Sequence, residues 1–168
     1  MGFKKQKASY PKSKSLPIEK SVGAVVINPT GKYLLLDRIA NRGVKIKGHW
    51  WEISKGHQEG RESDMETLMR EIEEECGIKS FEIIKGFKAQ TSYISSSQTK
   101  RLFVLYLIRL ADNRVRLSDE HKDYKWVSEA QARKLLPHKS WVRILMKADR
   151  YLKGRENVAH TGLAVRNG

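Results

Sequence analysis

Hydrophobic positions along the chain alternate between runs and stripes, and the two periods divide the sequence into strands and helices. "SVGAVVIN" (21–28) is a continuous apolar run rich in β-branched residues, which predicts a buried strand. "PTG" (29–31) is a turn, and "KYLLLDRI" (32–39) returns as the second arm of a hairpin. "NRGVKIKG" (41–48) is a Gly- and Lys-bearing loop, and "HWWEIS" (49–54) a short strand. The period then changes. Ser63 followed by Glu66 is a capping box, and the helix it opens is expected to run to Cys76 with Gly77 as its stop. Met65, Leu68, Met69, Ile72 and Cys76 share its apolar face. "FEIIKGFKAQTSYI" (81–94) reads as a strand interrupted at glycine, and "RLFVLYLIRL" (101–110), apolar on both faces, as a central strand. "YKWVS" (124–128) is a further short strand. Ser128 with Gln131 caps a short helix ending near Leu136–Pro137, and Ser140 opens a last helix with Trp141, Ile144, Leu145, Ala148 and Leu152 as its stripe. Hairpins mixed with strands around single helices predict a mixed sheet with helices on both faces, an α/β fold.

Composition sets the limits of this plan. The chain has 168 residues, enough for one domain with a substantial core. Residues 1–20 are Lys-, Ser- and Pro-rich without periodicity and read as a flexible arm; 21–153 form the domain; 154–168 read as a loose tail. No apolar run approaches the roughly 18 residues that span a bilayer. The N-terminal stretch has no apolar signal core, and Gln6 stands where a myristoylation motif wants Ser or Thr. A single cysteine, Cys76, rules out an internal disulfide or a C-x-x-C metal site. These features favour the cytoplasm.

The net charge of +14 is concentrated at the ends: +5 in residues 1–20 and +7 in residues 133–168. Basic flanks suit polyanionic partners such as nucleotides, RNA or phospholipid, or serve as a solubilising surface. Residues 61–80 run the other way, at −4. On the predicted helix Glu71, Glu74 and Glu75 lie within a few ångströms of one another. Like charges at this spacing destabilise a helix by about 0.2–0.5 kcal/mol per pair. A hard divalent cation held by carboxylate oxygens would offset that cost, and so would neighbouring Lys and Arg.

The wider spacing decides between these. Gly56 is followed by Glu62, then by Arg70-Glu71-Ile72, Glu74-Glu75 and Gly77-Ile78. This resembles, at every position, the signature G-x5-E-x7-R-E-U-x-E-E-x-G-U of the Nudix hydrolases, where U is aliphatic. At average residue usage the pattern arises by chance in a chain of this length on the order of once in a million. The resemblance implies a Nudix fold, an α/β/α sandwich with a central mixed sheet and a loop–helix–loop that binds Mg²⁺ or Mn²⁺ and hydrolyses a nucleoside diphosphate linked to a further group. It implies metal ligands at Glu71, Glu74, Glu75 and the Lys55 carbonyl, and a bracing ion pair between Glu62 and Arg70. Glu73 occupies a free position and reads as solvated.

Outside the box, "KGHQE" (55–59), "IIKGFK" (83–88), Tyr93, Lys100 and "RLSDEHKDYKWVS" (116–128) resemble the asymmetric diadenosine tetraphosphate hydrolases of animals and archaea over about residues 21–152. That likeness implies a further metal-site carboxylate at Glu120, base stacking on Tyr93, phosphate binding by Lys100, and a second stacking position at His138, with Trp141 close by. Here the chain departs from the pattern, with histidine where the family has an aromatic ring and Ser54 where relatives carry proline. His49 and His57 flank the box loop within reach of phosphate, as does Lys55. The five histidines lack zinc-ligand spacing. The expected substrate is a dinucleoside polyphosphate. RNA 5′-end processing or a diphosphoinositol are the enzymatic alternatives, and a non-catalytic nucleotide- or RNA-binding module is the third. Oligomeric state has no sequence signal.

Overall fold

The protein is described as a computed structural model covering residues 15–39 and 48–164, with side chains to residue 157. Its elements in order are β1 (Ile18–Ile27), β2 (Tyr33–Arg38), β3 (Trp51–Glu52), β4 (Lys55–His57), α1 (Asp64–Cys76), β5 (Glu82–Ile83), β6 (Ala89–Ile94), β7 (Lys100–Arg109), β8 (His121–Val127), α2 (Glu129–Leu135) and α3 (Lys139–Ala164). The loop expected at 41–48 falls almost wholly outside the described residues, as do positions 1–14 of the basic arm and 165–168 of the tail.

β1 and β7 form the spine, paired in parallel over ten residues from Ile18↔Lys100 to Ile27↔Arg109. Every other pairing is antiparallel. β1 changes partner along its length: Ser21–Gly23 pair with β4, and Ile27 pairs with Tyr33 of β2. The expected hairpin therefore closes only at its turn, and β2 swings away to lie between β3 and β8. That divergence opens the cleft in which the candidate site lies. β1 alternates its side chains accordingly. Val22, Ala24 and Val26 face α1, and Val25 and Ile27 face α2 and α3. The result is the expected α/β/α sandwich. Among the described residues no helix is long and apolar enough to cross a membrane.

Several boundaries differ from the sequence reading, for physical reasons. The strand expected over 49–54 shortens to β3, where Trp51–Glu52 pair with β2, and an unexpected strand, β4, forms just beyond it because Lys55–His57 turn to pair with β1. The one expected over 81–94 splits at Gly86, whose φ of 86° breaks the extended run. β1 begins at Ile18, so the last residues of the basic arm belong to the sheet, held by β7 alongside. α3 does not end at Gly154 but continues to Ala164; a lone glycine costs a helix only about 1 kcal/mol. Met69 is a correction: it is 57% exposed rather than part of the core face.

α1 has the ends the sequence anticipated. Ser63 accepts from the Glu66 backbone N–H and Glu66 answers to the Ser63 N–H, while Gly77 takes the left-handed conformation at φ 66°. Replacing Ser63 with Ala should lower stability by about 1 kcal/mol, read as a shift in the urea midpoint at unchanged slope.

Candidate active site

Every position of α1 that faces the sheet is buried, and two of those positions are carboxylates. Glu71 is 8% and Glu75 5% exposed, whereas the Glu74 side chain is largely open to solvent. Glu75 accepts hydrogen bonds at Oε2 from Ser54 Oγ (2.6 Å) and the Lys55 backbone N–H (3.0 Å), which tie the helix to the β3–β4 connection. Burial pushes its carboxyl up to about 7, against the opposing pull of Ser54, His121 and Lys55. Burial raises Glu71 as well, with Arg70 opposing. A buried site that penalises negative charge on two adjacent carboxylates favours a cation between them.

Gly56 fits this arrangement closely. A Cβ at that position would overlap the Glu71 carboxyl group, so only glycine lets the loop pass over it. Arg70 braces the same loop. Its Nε and Nη2 donate to the two Glu62 oxygens at 2.8 and 2.9 Å, Nη2 also donates to the His57 carbonyl at 2.8 Å, and Nη1 donates to Glu71 at 2.7 Å and Glu74 at 3.1 Å. Glu62 further accepts from the Glu59 N–H and the Thr67 hydroxyl. The Arg70 hydrogen bonds hold Glu62 down at about 2, so the pair is fully ionised at neutral pH.

Above these groups lies a cleft of about 1020 Å³, lined by Glu71, Glu74, Glu75 and Glu120 on one wall. Lys55, His57, Tyr93 and His138 also line it; His49 and Lys100 do not. His49 instead meets Asp37 and stacks on Trp51 at 5.6 Å. Lys100 stands at the exposed start of β7, its N–H bonded to the Pro17 carbonyl. Tyr93 is 56% exposed and lies flat over Phe103 at 5.9 Å with a 19° interplanar angle, leaving its outer face free. His138 meets Trp50 edge-on at 5.5 Å, so the second aromatic surface in the cleft is a Trp50–His138 pair. Trp141 lies mostly buried behind, edge-on to Phe103. Cations complete the lining: Arg38, Arg101, Lys139 and Arg143.

Sequence reasoning missed a buried group beneath this cleft. β2 lies between β3 and β8, and so brings Glu52 and His121 together across it. His121 Nε2 is 3.2 Å from Glu52 and 3.9 Å from Glu75, its ring fully buried, and its Nδ1 has no hydrogen-bond partner among the described residues. Glu52 also accepts from Lys55 Nζ at 2.7 Å. Burial alone would raise Glu52, but His121, Lys55 and Arg38 hold it at about 2. Glu52, Glu75 and His121 offer ligand atoms within 4.8 Å of one another and could hold a metal. Glu52 is already neutralised by Lys55. Glu71, Glu74, Glu75 and Glu120 bring only hard oxygen donors to the cleft, the donor type that a hard divalent ion takes. His121 adjoins Glu120 in sequence, but Glu52 has no such signal: it alternates with Trp51 and Ile53 as an ordinary solvent-facing strand residue would.

Two buried carboxylates under a glycine loop, facing a cleft rimmed with cations, suit the chemistry of a phosphate-anhydride hydrolase. The chain belongs to the Nudix family: the NUDIX domain model matches residues 17–148. Among curated proteins it is similar to the asymmetrical bis(5′-nucleosyl)-tetraphosphatases of Sus scrofa, 34% identical over 76% of this chain and 84% of that one, and of Mus musculus, 33% identical over 74% and 83%. An RNA pyrophosphohydrolase from Pelagibacter ubique is 26% identical over 67% and 78%. Among solved structures, the binary complex of a C. elegans Ap4A hydrolase superimposes with a TM-score of 0.71 at 25% identity, covering 81% of this chain and 98% of the other.

Proposed function

We propose that the protein hydrolyses diadenosine tetraphosphate asymmetrically, to ATP and AMP. The observation that carries this reading is the meeting in one cleft of a carboxylate wall, a set of cations and the free face of Tyr93. Glu71, Glu74, Glu75, Glu120 and the Lys55 carbonyl would hold Mg²⁺ or Mn²⁺. When bound, the metal neutralises the polyphosphate, polarises phosphorus and lowers the pKa of water. The chain's own residues position the substrate. Tyr93 takes an adenine against its outer face, and Trp50 with His138 offers a second aromatic surface across the cleft. Arg38, Arg101, Lys139 and Arg143 draw in the phosphates. Lys55, locked to Glu52, presents a fixed ammonium beside Glu75. Water adds to one phosphorus, the bridging P–O bond breaks, and a proton is released. The similarity to tetraphosphatases over most of the domain supports this substrate. The single, buried cysteine and the absence of a membrane-crossing helix among the described residues support a cytoplasmic setting.

The test is a panel of diadenosine tetraphosphate, nucleoside triphosphates, triphosphorylated RNA and diphosphoinositols, with Mg²⁺ in ¹⁸O-water. Diadenosine tetraphosphate should turn over fastest, with label in only one of its two products. An inert diadenosine tetraphosphate would refute the reading, and no turnover of anything would leave a binding module. Tyr93→Ala should raise KM about tenfold with kcat nearly unchanged, the scale of one lost base stack.

A further inference from the structure

Ser54 lies between β3 and β4, 2% exposed, at a place outside the Gly56–Ile78 signature where relatives carry proline. Its backbone is pinned to the sheet. The Ser54 carbonyl accepts from the Ala24 N–H at 3.0 Å, and Gly23 lets the two segments close up, since a Cβ there would stand 2.2 Å from that carbonyl oxygen. Its side chain reaches α1. Ser54 Oγ donates to Glu75 Oε2 at 2.6 Å, in the range of a charge-assisted bond. The Lys55 N–H donates to the same oxygen at 3.0 Å. Glu75 Oε1 makes no hydrogen bond among the described residues, and His121 Nε2 stands off from it at 3.9 Å. Two donors on one oxygen are more than a tether needs, because the Lys55 N–H alone would tie loop to helix. The terminal torsion of glutamate is broad and roughly two-fold, so a single donor leaves the carboxylate free to rock and to exchange its oxygens. Two donors from consecutive residues converge on Oε2 and fix the plane. Glu75 also sits in the last turn of α1, where the helix dipole disfavours a carboxylate and no basic side chain of that turn offsets it. A hydroxyl stabilises the charge there without putting an ammonium where a cation would go.

We propose that Ser54 is a positioning residue for the anhydride hydrolysis: its hydroxyl fixes the Glu75 carboxylate with Oε2 bound to the loop and Oε1 left for the cation. The proposal rests on the reading of Glu75 as a metal ligand. Proline has no hydroxyl to donate, so the second bond belongs to this chain and not to the signature. Ser54 is buried and does not line the cleft, so it reaches the substrate only through Glu75. A carboxylate already held in place has little rotational freedom left to lose when a cation arrives. Groups bonded to a metal's ligand rather than to the metal typically account for about 10–100-fold in affinity or activity.

The experiment measures Mn²⁺ binding to the full chain without nucleotide, from the electron paramagnetic resonance of the free ion, and turnover of diadenosine tetraphosphate in parallel. Ser54→Ala should weaken Mn²⁺ binding by about 10–100-fold and lower kcat by a similar factor, with KM nearly unchanged. Ser54→Thr and Ser54→Val form a matched pair, alike in shape and different in the hydroxyl. Both disturb the packing alike, so a purely structural role gives equal losses. The positioning role makes Ser54→Thr bind Mn²⁺ about tenfold more tightly than Ser54→Val. Equal binding by that pair overturns the proposal. Wild-type binding by Ser54→Ala beside weakened binding by Glu75→Gln also overturns it, and leaves Glu75 as a ligand. Wild-type binding by Glu75→Gln removes the ligand reading and the role of Ser54 with it. If diadenosine tetraphosphate is inert while the matched pair still differs in Mn²⁺ affinity, the proposed substrate falls and the positioning role stands.

Discussion

Glu75→Gln should lower kcat on the order of 10³-fold, the scale seen when one preorganised electrostatic contributor is removed from a reacting phosphate or acyl centre. It should do so without unfolding the protein. The reason lies in where the carboxylate sits. Glu75 is buried, its Oε2 takes hydrogen bonds from Ser54 and the Lys55 N–H, and its pKa is pushed up to about 7. Glutamine keeps the acceptor oxygen for those two bonds and removes the charge. The sign of the pH effect follows. A carboxyl whose folded pKa exceeds its unfolded value binds more protons in the native state, so its contribution falls as pH rises from about 4.5 through 7. In EDTA at pH 8 the wild-type protein carries a disfavoured buried charge, and the variant does not. The variant's Tm should therefore be higher there, on the order of 5 °C, with the difference gone at pH 4.5. Added Mg²⁺ should raise the wild-type Tm more than the variant's. Unchanged kcat, or a variant destabilised at pH 8, would show that Glu75 is a structural acceptor only.

Two kinds of signal made the box legible before the fold was known. The helix is bounded by local chemistry: Ser63 with Glu66 at one end and Gly77 at the other, neither needing a distant partner. The spacing from Gly56 to Ile78 carried the rest. What misled was the assumption that a buried face is an apolar face. Met65, Leu68, Met69, Ile72 and Cys76 centre that face correctly by hydrophobicity, yet the buried residues of α1 are Thr67, Leu68, Glu71, Ile72, Glu75 and Cys76. At about 100° per residue the true buried arc is rotated by roughly 60° toward the carboxylates. Met69 is left at its outer edge and Glu71 and Glu75 are brought inside. A functional site pulls polar groups into the protein, and hydrophobic periodicity is blind to them there.

Long-range pairing was the other gap. Glu52 and His121 stand 69 residues apart and meet only because β2 separates from β1 and takes β3 on one side and β8 on the other. Nothing local announces that a hairpin will open. For the same reason the likeness of sequence draws Lys100 toward the phosphates, and closeness to the box loop draws His49, while neither side chain lines the cleft. Arg38, Arg101 and Arg143, from three different elements, supply the cations instead.

Gly56→Ala should be nearly as damaging to activity as removing a carboxylate, although it deletes no functional group. The added methyl would overlap the Glu71 carboxyl, and the carboxyl cannot yield freely, because its Oε1 is bonded to Arg70 Nη1 at 2.7 Å. Arg70 in turn is fixed by both oxygens of Glu62 and by the His57 carbonyl, which belongs to the same loop as Gly56. Loop, arginine and both carboxylates form a closed ring, so relief at one point is strain at another. Overpacking of this kind costs about 1–3 kcal/mol of stability. A displacement of about 1 Å at a reacting centre costs about 10²-fold in rate. The expected result is a kcat lowered by at least that factor, and a weakened thermal response to Mg²⁺. Diadenosine tetraphosphate KM should change little, because Tyr93 and the cleft cations are untouched. Gly154, where a Cβ meets open space, is the matched control: Gly154→Ala should leave kcat unaltered and, by favouring the helix, raise Tm slightly. If Gly56→Ala keeps wild-type kcat, the loop is not what holds Glu71 in the position that the proposed activity requires.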